Sequence, residues 1–276
     1  MIPMTRFLLS LCAVLTAVAG FAAVPAPAGW KLVWSDEFDK DGAPDPAKWS
    51  YDVGGHGWGN KELQFYTDNR RENARVENGR LIIEARREKW EDKEVTSARL
   101  VTKDKGDWTY GRFEIRAKLP KGLGTWPAIW MLPTQWDLGS RQWPDVGEID
   151  IMEHVGYEPG VIHASTHSKQ HQWQIGTQRT ATLSVPDAEE AFHTYVLEWE
   201  ADEIRIYVDD RHYFTSKREG GDWSSWPFFR PFHLVLNIAW GGAWGAAKGL
   251  DPTVLPQRLE IDYVRVYQRP PAATAP

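Results

Sequence analysis

The chain has 276 residues, with 16 tryptophans, a single cysteine and a formal net charge of −6 at pH 7. That mild negative balance, without a run of lysines or arginines, argues against nucleic acid and anionic membranes as partners. Cys12 lies near the N-terminus, so no disulfide can staple the remainder, and a stable fold must rest on a large apolar core that about 250 residues can supply as one domain.

Residues 1–23 read as a signal peptide. Arg6 provides the positive charge, Phe7 to Val18 form an apolar run, and small residues from Ala17 to Ala23 place cleavage between about 19 and 23. The run is too short to span a bilayer, and no later segment approaches about eighteen consecutive apolar residues. The expected location is therefore secreted or periplasmic, with no membrane span after cleavage. Residues 24–268 carry no internal repeat and no Pro/Gly/Ser linker, so they are read as a single domain. Within them, "DVGGHGWGNKELQFYT" (52–67) is glycine-rich around His56, Trp58 and Asn60 and reads as a shaped loop at a rim.

Period-two alternation then dominates, in "RLIIEARRE" (80–88), "GRFEIRAKLP" (111–120), "TYVLEWE" (194–200), "EIRIYVDD" (203–210), "HLVLNIAW" (233–240) and "RLEIDYVRVYQ" (258–268). "RREKWEDKE" (86–94) mixes both signs as a solvated hairpin or edge does. "WEADE" and "VDDRHY" have the composition of hairpin corners, and no helical period lasts three turns. The expected fold class is all-β, a sandwich of two antiparallel sheets. The end, "RPPAATAP" (269–276), is expected to be a disordered tail.

The chemistry concentrates in "DVGEIDIMEH" (145–154). On a strand, Ile149 and Ile151 point one way, and Glu148 and Asp150 the other. Glu153, five positions beyond Glu148, would face the core, where an unpaired carboxylate is very costly. A β-bulge at Ile151–Met152 would return it to the face of Glu148. The two glutamates would then stand roughly 13 Å apart at Cα. Leaning together, their carboxyls could approach to about 5 to 6 Å, the spacing at which one attacks an anomeric carbon while the other protonates the leaving oxygen. Asp150 between them would hold the nucleophile and raise its neighbour's proton affinity. Like charges side by side weaken a sheet, so three acids on one face call for a use, either catalysis or a metal. In "GTWPAIWMLP" (124–133), Trp126, Ala128 and Trp130 share a face. Such a stripe alone is commonly core, but beside three acids it reads as the wall of a groove for the apolar faces of a sugar.

From "WSDEF" (34–38) to "IDYVRVYQ" (261–268), with E-x-D-x-x-E preceded by "TWPAIWMLP", the sequence resembles glycoside hydrolase family 16, and within it the laminarinase-like endo-β-1,3-glucanases. The resemblance implies a β-jelly roll with a concave glycan-binding cleft, Glu148 as nucleophile, Glu153 as general acid/base, Asp150 as the assisting carboxylate, and no catalytic cofactor. Met152 is the inserted residue of laminarinases, agarases and carrageenases, which lichenase-like and xyloglucan-acting relatives lack. Three functions follow: a retaining endo-hydrolase of laminarin-type and mixed-linkage β-glucans, a same-fold hydrolase of agarose or carrageenan, or a non-catalytic β-glucan-binding lectin. "WGNKELQFYT" resembles the family's rim and suggests Asn60 as a sugar contact, and "SARLVT" places Arg99 near the cleft. His167 in "HASTHS" resembles the family histidine beside the acid/base, with a structural role as the alternative. Trp240 in "NIAWGGAWGA" offers a further platform or a cap on the core. Many relatives hold a structural calcium on the convex side, and the matching residues are Glu37, Gly79 and Asp262. The expected partner is β-glucan polysaccharide, and the expected state a monomer.

Overall fold

A computed structural model describes residues 27–270. The signal peptide expected over 1–23 lies outside them, as do residues 271–276 of the expected tail. Among the described residues no helix is long and apolar enough to cross a membrane.

Two sheets of eight and ten strands face each other. The first runs, edge to edge, through Arg179–Ser184, Val161–His167, Glu148–Glu153, Thr125–Pro133, Phe232–Trp240, Arg99–Val101 and Ser50–Tyr51, with Asp107–Trp108 beside Phe232–Trp240. The second runs through Arg211–Lys217, Glu203–Val208, His193–Trp199, Gly111–Lys118, Gln257–Gln268, Leu81–Trp90, Lys93–Ser97 and Phe65–Tyr66, with Lys31–Asp36 and Ala74–Val76 alongside. All pairings are antiparallel except the short one between Phe65–Tyr66 and Lys93–Ser97. Each strand expected from alternation is present within two residues of its expected ends. "WEADE" and "VDDRHY" turn where expected, the second through Asp209 at φ 54°.

The core lies between the sheets. Ile129, Met131, Ile149, Ile162, Leu234 and Leu236 come from the first, and Phe113, Ile115, Leu197, Ile206, Val264 and Val266 from the second; all are fully buried. At about 1.5–3 kcal/mol for each such side chain, this layer is the physical reason that no disulfide is needed. Some tryptophans pack there, Trp49, Trp199 and Trp226 being at most 2% exposed. Trp126, Trp130, Trp143 and Trp244 keep part of their surface open.

Glu148–Glu153 is an interior strand, paired on both sides, and two glycines bracket it. Gly147 enters it at φ 90°, a left-handed conformation that glycine adopts without strain. Gly156 follows it so closely against residues 122–125 that a Cβ would fall 1.8 Å from the Gly122 carbonyl oxygen.

Candidate active site

The register on either side of the acid-bearing strand locates an extra residue. Against one neighbour, Ile129 pairs with Met152 but Trp130 with Asp150. Against the other, Asp150 pairs with Ser165 and Glu153 with His163, three steps opposite two. Ile151 and Met152 together span this bulge, and both are fully buried among core side chains. Burying two consecutive apolar residues absorbs one step of the alternation and turns Glu153 to the face of Glu148 and Asp150. There the Trp126 indole Nε1 donates to Glu153 Oε1 at 3.1 Å.

Electrostatics bind the three acids into one unit. Burial raises Glu148 well above the ordinary glutamate range, and repulsion from Asp150 adds to it, while nearby His167 favours the charged form. Burial pushes Asp150 up to about 8, opposed by its hydrogen bond with Glu148. Burial, then Asp150, pushes Glu153 up to about 8, against the pull of His167 and the Trp126 hydrogen bond. The three groups therefore share fewer than three negative charges at neutral pH. Asp150 Oδ2 and His167 Nδ1 are buried without a hydrogen-bond partner within the protein, a condition concentrated at working sites.

His167 is felt at Glu153 but touches the other two acids. It pairs across the sheet with Glu148, and its Nε2 stands 3.2 Å from Asp150 Oδ2 and 3.8 Å from Glu148 Oε1. The residue across the sheet from Glu153 is His163, whose Nε2 turns to Glu158 at 3.2 Å, because the turn at 154–160 and the bulge together fix the pairing. Glu148, Asp150 and His167 offer donor atoms within 4.8 Å of one another and could hold a metal ion, using the same atoms that would serve the acids' chemistry.

Trp130 and Arg99 come together. The Arg99 guanidinium lies 4.7 Å from the Trp130 ring and 4.6 Å from that of Trp58, and its Nε is ion-paired with Asp52 at 2.9 Å. Asn60 sits half-buried at the rim, with its side-chain Nδ2 donating to Glu62 at 3.3 Å and its backbone carbonyl accepting from Ala243 N. Trp240 departs from the expected platform. It is 3% exposed and stands three residues after the groove-facing Asn237, hence on the opposite face of its strand, where its ring is buried against Gly124. Two aromatics not singled out from the sequence do line the site. Trp244 meets Trp126 edge-on at 5.5 Å and His163 at 4.9 Å, and Trp143 lies 5.7 Å from His167. The second tryptophan of "AWGGAWG" and the one in "QWPD" were the available signals.

Glu37, Gly79 and Asp262 are drawn to one corner of the second sheet, since Asp36 pairs with Val264 and Leu81 with Ile261. The Glu37 carboxylate is taken by Nε and Nη2 of Arg265 at 2.9 and 2.8 Å, and Asp262 Oδ2 by Arg116 at 2.6 Å. Asp262 Oδ1 and backbone carbonyls are what the corner can offer a cation.

The family model for glycosyl hydrolases family 16 matches residues 60–265. A beta-glucanase of Rhodothermus marinus is 56% identical over 269 residues, covering 96% of this chain and 94% of that protein. The crystal structure of the laminarinase from Rhodothermus marinus superposes with a TM-score of 0.86 at 59% identity, over 88% of this chain and 98% of that one. A non-specific endo-β-1,3(4)-glucanase, crystallised with a glucan oligosaccharide at its active site, matches with a TM-score of 0.84 at 45% identity, over 88% and 96% of the two chains.

Proposed function

Since the chain belongs to family 16 of the glycosyl hydrolases, we propose that it is a secreted endo-hydrolase that cuts internal β-1,3-glucosidic bonds of laminarin-type and mixed-linkage β-glucans with retention of configuration. The observation that carries this reading is the bulge, which turns Glu153 to the face of Glu148 and Asp150 beside partly open indoles. Similarity to a beta-glucanase and to a laminarinase supports the glucan as substrate.

In this reading Glu148 attacks the anomeric carbon and forms a glycosyl-enzyme. Glu153, which keeps its proton chiefly through burial, delivers it to the leaving oxygen. The indole N–H of Trp126 holds the Glu153 oxygen that is not protonated. Deprotonated by that step, Glu153 then takes a proton from the water that releases the sugar. Asp150 and His167 beside Glu148 orient it and balance its charge between attack and release.

Laminarin, curdlan, lichenan, agarose and carrageenan, with product sizes resolved, form the test. Laminarin and curdlan are expected to yield a ladder of oligosaccharides from early times, and lichenan a narrower set. Cleavage of agarose or carrageenan with laminarin intact would move the enzyme to galactans, and binding of laminarin without turnover would make it a lectin. Arg99, ion-paired and lying between two indoles, suits a neutral chain better than a sulfated one.

For the far corner we propose a structural calcium only, held by Asp262 Oδ1 and the carbonyls of Glu37 and Gly79, an all-oxygen set of the kind calcium takes. Calcium is expected to raise Tm and a chelator to lower it with kcat unchanged. An unaltered Tm would leave Arg116 as the sole counter-charge of Asp262.

A further inference from the structure

Apart from the three acids, one buried carboxylate is wired to a groove tryptophan and is not used by the reaction. Glu62 is 7% exposed, and its backbone bridges Gly241, which ties the glycine-rich rim to the segment after Phe232–Trp240. Three side chains donate to it: Gln64 at 2.7 Å, Tyr66 at 3.2 Å and Asn60 at 3.3 Å. The Tyr66 oxygen in turn accepts from Asn237 Nδ2 at 3.0 Å, and Asn237 Oδ1 accepts from the Trp130 indole N–H at 2.7 Å.

The direction of every bond in this chain is forced. An indole N–H can only donate and an ionised carboxylate can only accept. The Asn237 amide must therefore present its oxygen to Trp130 and its nitrogen to Tyr66, and the Tyr66 hydrogen must go to Glu62. The line from Trp130 through Asn237 and Tyr66 to Glu62 is unbranched at its indole end, and each bond polarises the next. Keeping a carboxylate out of water is costly, and apolar packing around Tyr66 would not need one. What the carboxylate does is fix the far end of a chain whose near end is an indole in the groove.

Trp130 is thus held twice, by Asn237 through its N–H and by the Arg99 guanidinium through its ring. Ala128, the cross-strand partner of Asn237, stands on the same face as Trp130. We infer that Glu62, acting through Tyr66 and Asn237, is a positioning residue that sets the angle at which Trp130 meets the sugar. This rests on the reading of Trp130 as a sugar-binding ring.

Tyr66→Phe removes one hydroxyl and keeps the shape. It is expected to raise KM for laminarin about 5- to 10-fold, the worth of one hydrogen bond, while kcat changes far less. In a Trp130→Phe background, where no indole N–H remains to be oriented, the same change is expected to alter KM by less than about twofold. Tyr66→Phe effects that multiply equally on both backgrounds would mean that the chain merely braces the rim, and would overturn the inference. A Trp130→Phe enzyme with unchanged KM would instead sink the platform reading itself. A second measurement is independent of turnover. The Trp130 indole ¹⁵N–¹H resonance, identified by its loss in Trp130→Phe, should move in both Tyr66→Phe and Glu62→Gln, although neither residue touches the ring. A resonance that stays in place in both variants overturns the inference as well.

Discussion

Glu148→Ala is expected to lower kcat on laminarin by at least about 10⁴-fold while oligosaccharide binding stays within a few-fold. The loss is large because, among the described residues, the two other acids on that face are already engaged. Asp150 is held against His167, and Glu153 is engaged by Trp126. A small anion such as azide, placed in the space left by the side chain, should restore turnover by a single displacement and give a product of inverted configuration. Glu148→Gln keeps the shape and should be as inactive, yet more stable. The sign follows from linkage. The folded-state proton affinity of Glu148 is raised by burial and then by Asp150, so between the unfolded value near 4.3 and the raised folded value the native state binds more protons than the unfolded one. Stability then falls as pH rises through that window. Removing the titrating group removes its share of the fall, and Tm at neutral pH should increase. A Glu148→Ala enzyme within tenfold of wild type on laminarin would take the nucleophile's role away from this residue.

How the site became legible can be traced through single residues. "EIDIMEH" was readable because burying a lone carboxylate is costly, and a single extra apolar residue resolves the conflict; Ile151 and Met152, both fully buried, are that resolution. The strands were readable because alternation survives wherever one face is core. Cross-strand placement was not. Which of His163 and His167 stands beside which glutamate depends on the length of the turn at 154–160 and on the bulge together, and neither is a local property of "HASTHS". Trp240 illustrates a missing reference point. Its parity relative to Asn237 settles its face, but only once Asn237 is known to face the groove. The chain from Glu62 to Trp130 was the least accessible. It joins residues 62 and 66 to 130 and 237 through the docking of two loops distant in sequence, and Glu62 beside Gln64 has no periodic signature.

Glu153→Ala is expected to sort substrates by their leaving group. On laminarin, whose departing oxygen needs a proton, the loss should be about 10² to 10⁴-fold. On an activated aryl β-glycoside, whose leaving group departs without help, the first step should survive and the glycosyl-enzyme should accumulate as a burst, because the second step still lacks its base. Azide needs no base, so it should speed release and give a product of retained configuration, opposite to that from Glu148→Ala. The pH profile tests the same group. In the wild type kcat/KM should fall above about pH 8, where Glu153 loses the proton that burial and then Asp150 help it keep. In Glu153→Ala acting on the aryl glycoside that limb should vanish. In Asp150→Asn the repulsion that favours the protonated form is gone, so the limb should move to lower pH, while burial still holds it above the ordinary glutamate range. Equal losses on both kinds of substrate would strip Glu153 of the acid's role. An alkaline limb unmoved by Asp150→Asn would mean that the middle carboxylate acts on Glu148 alone.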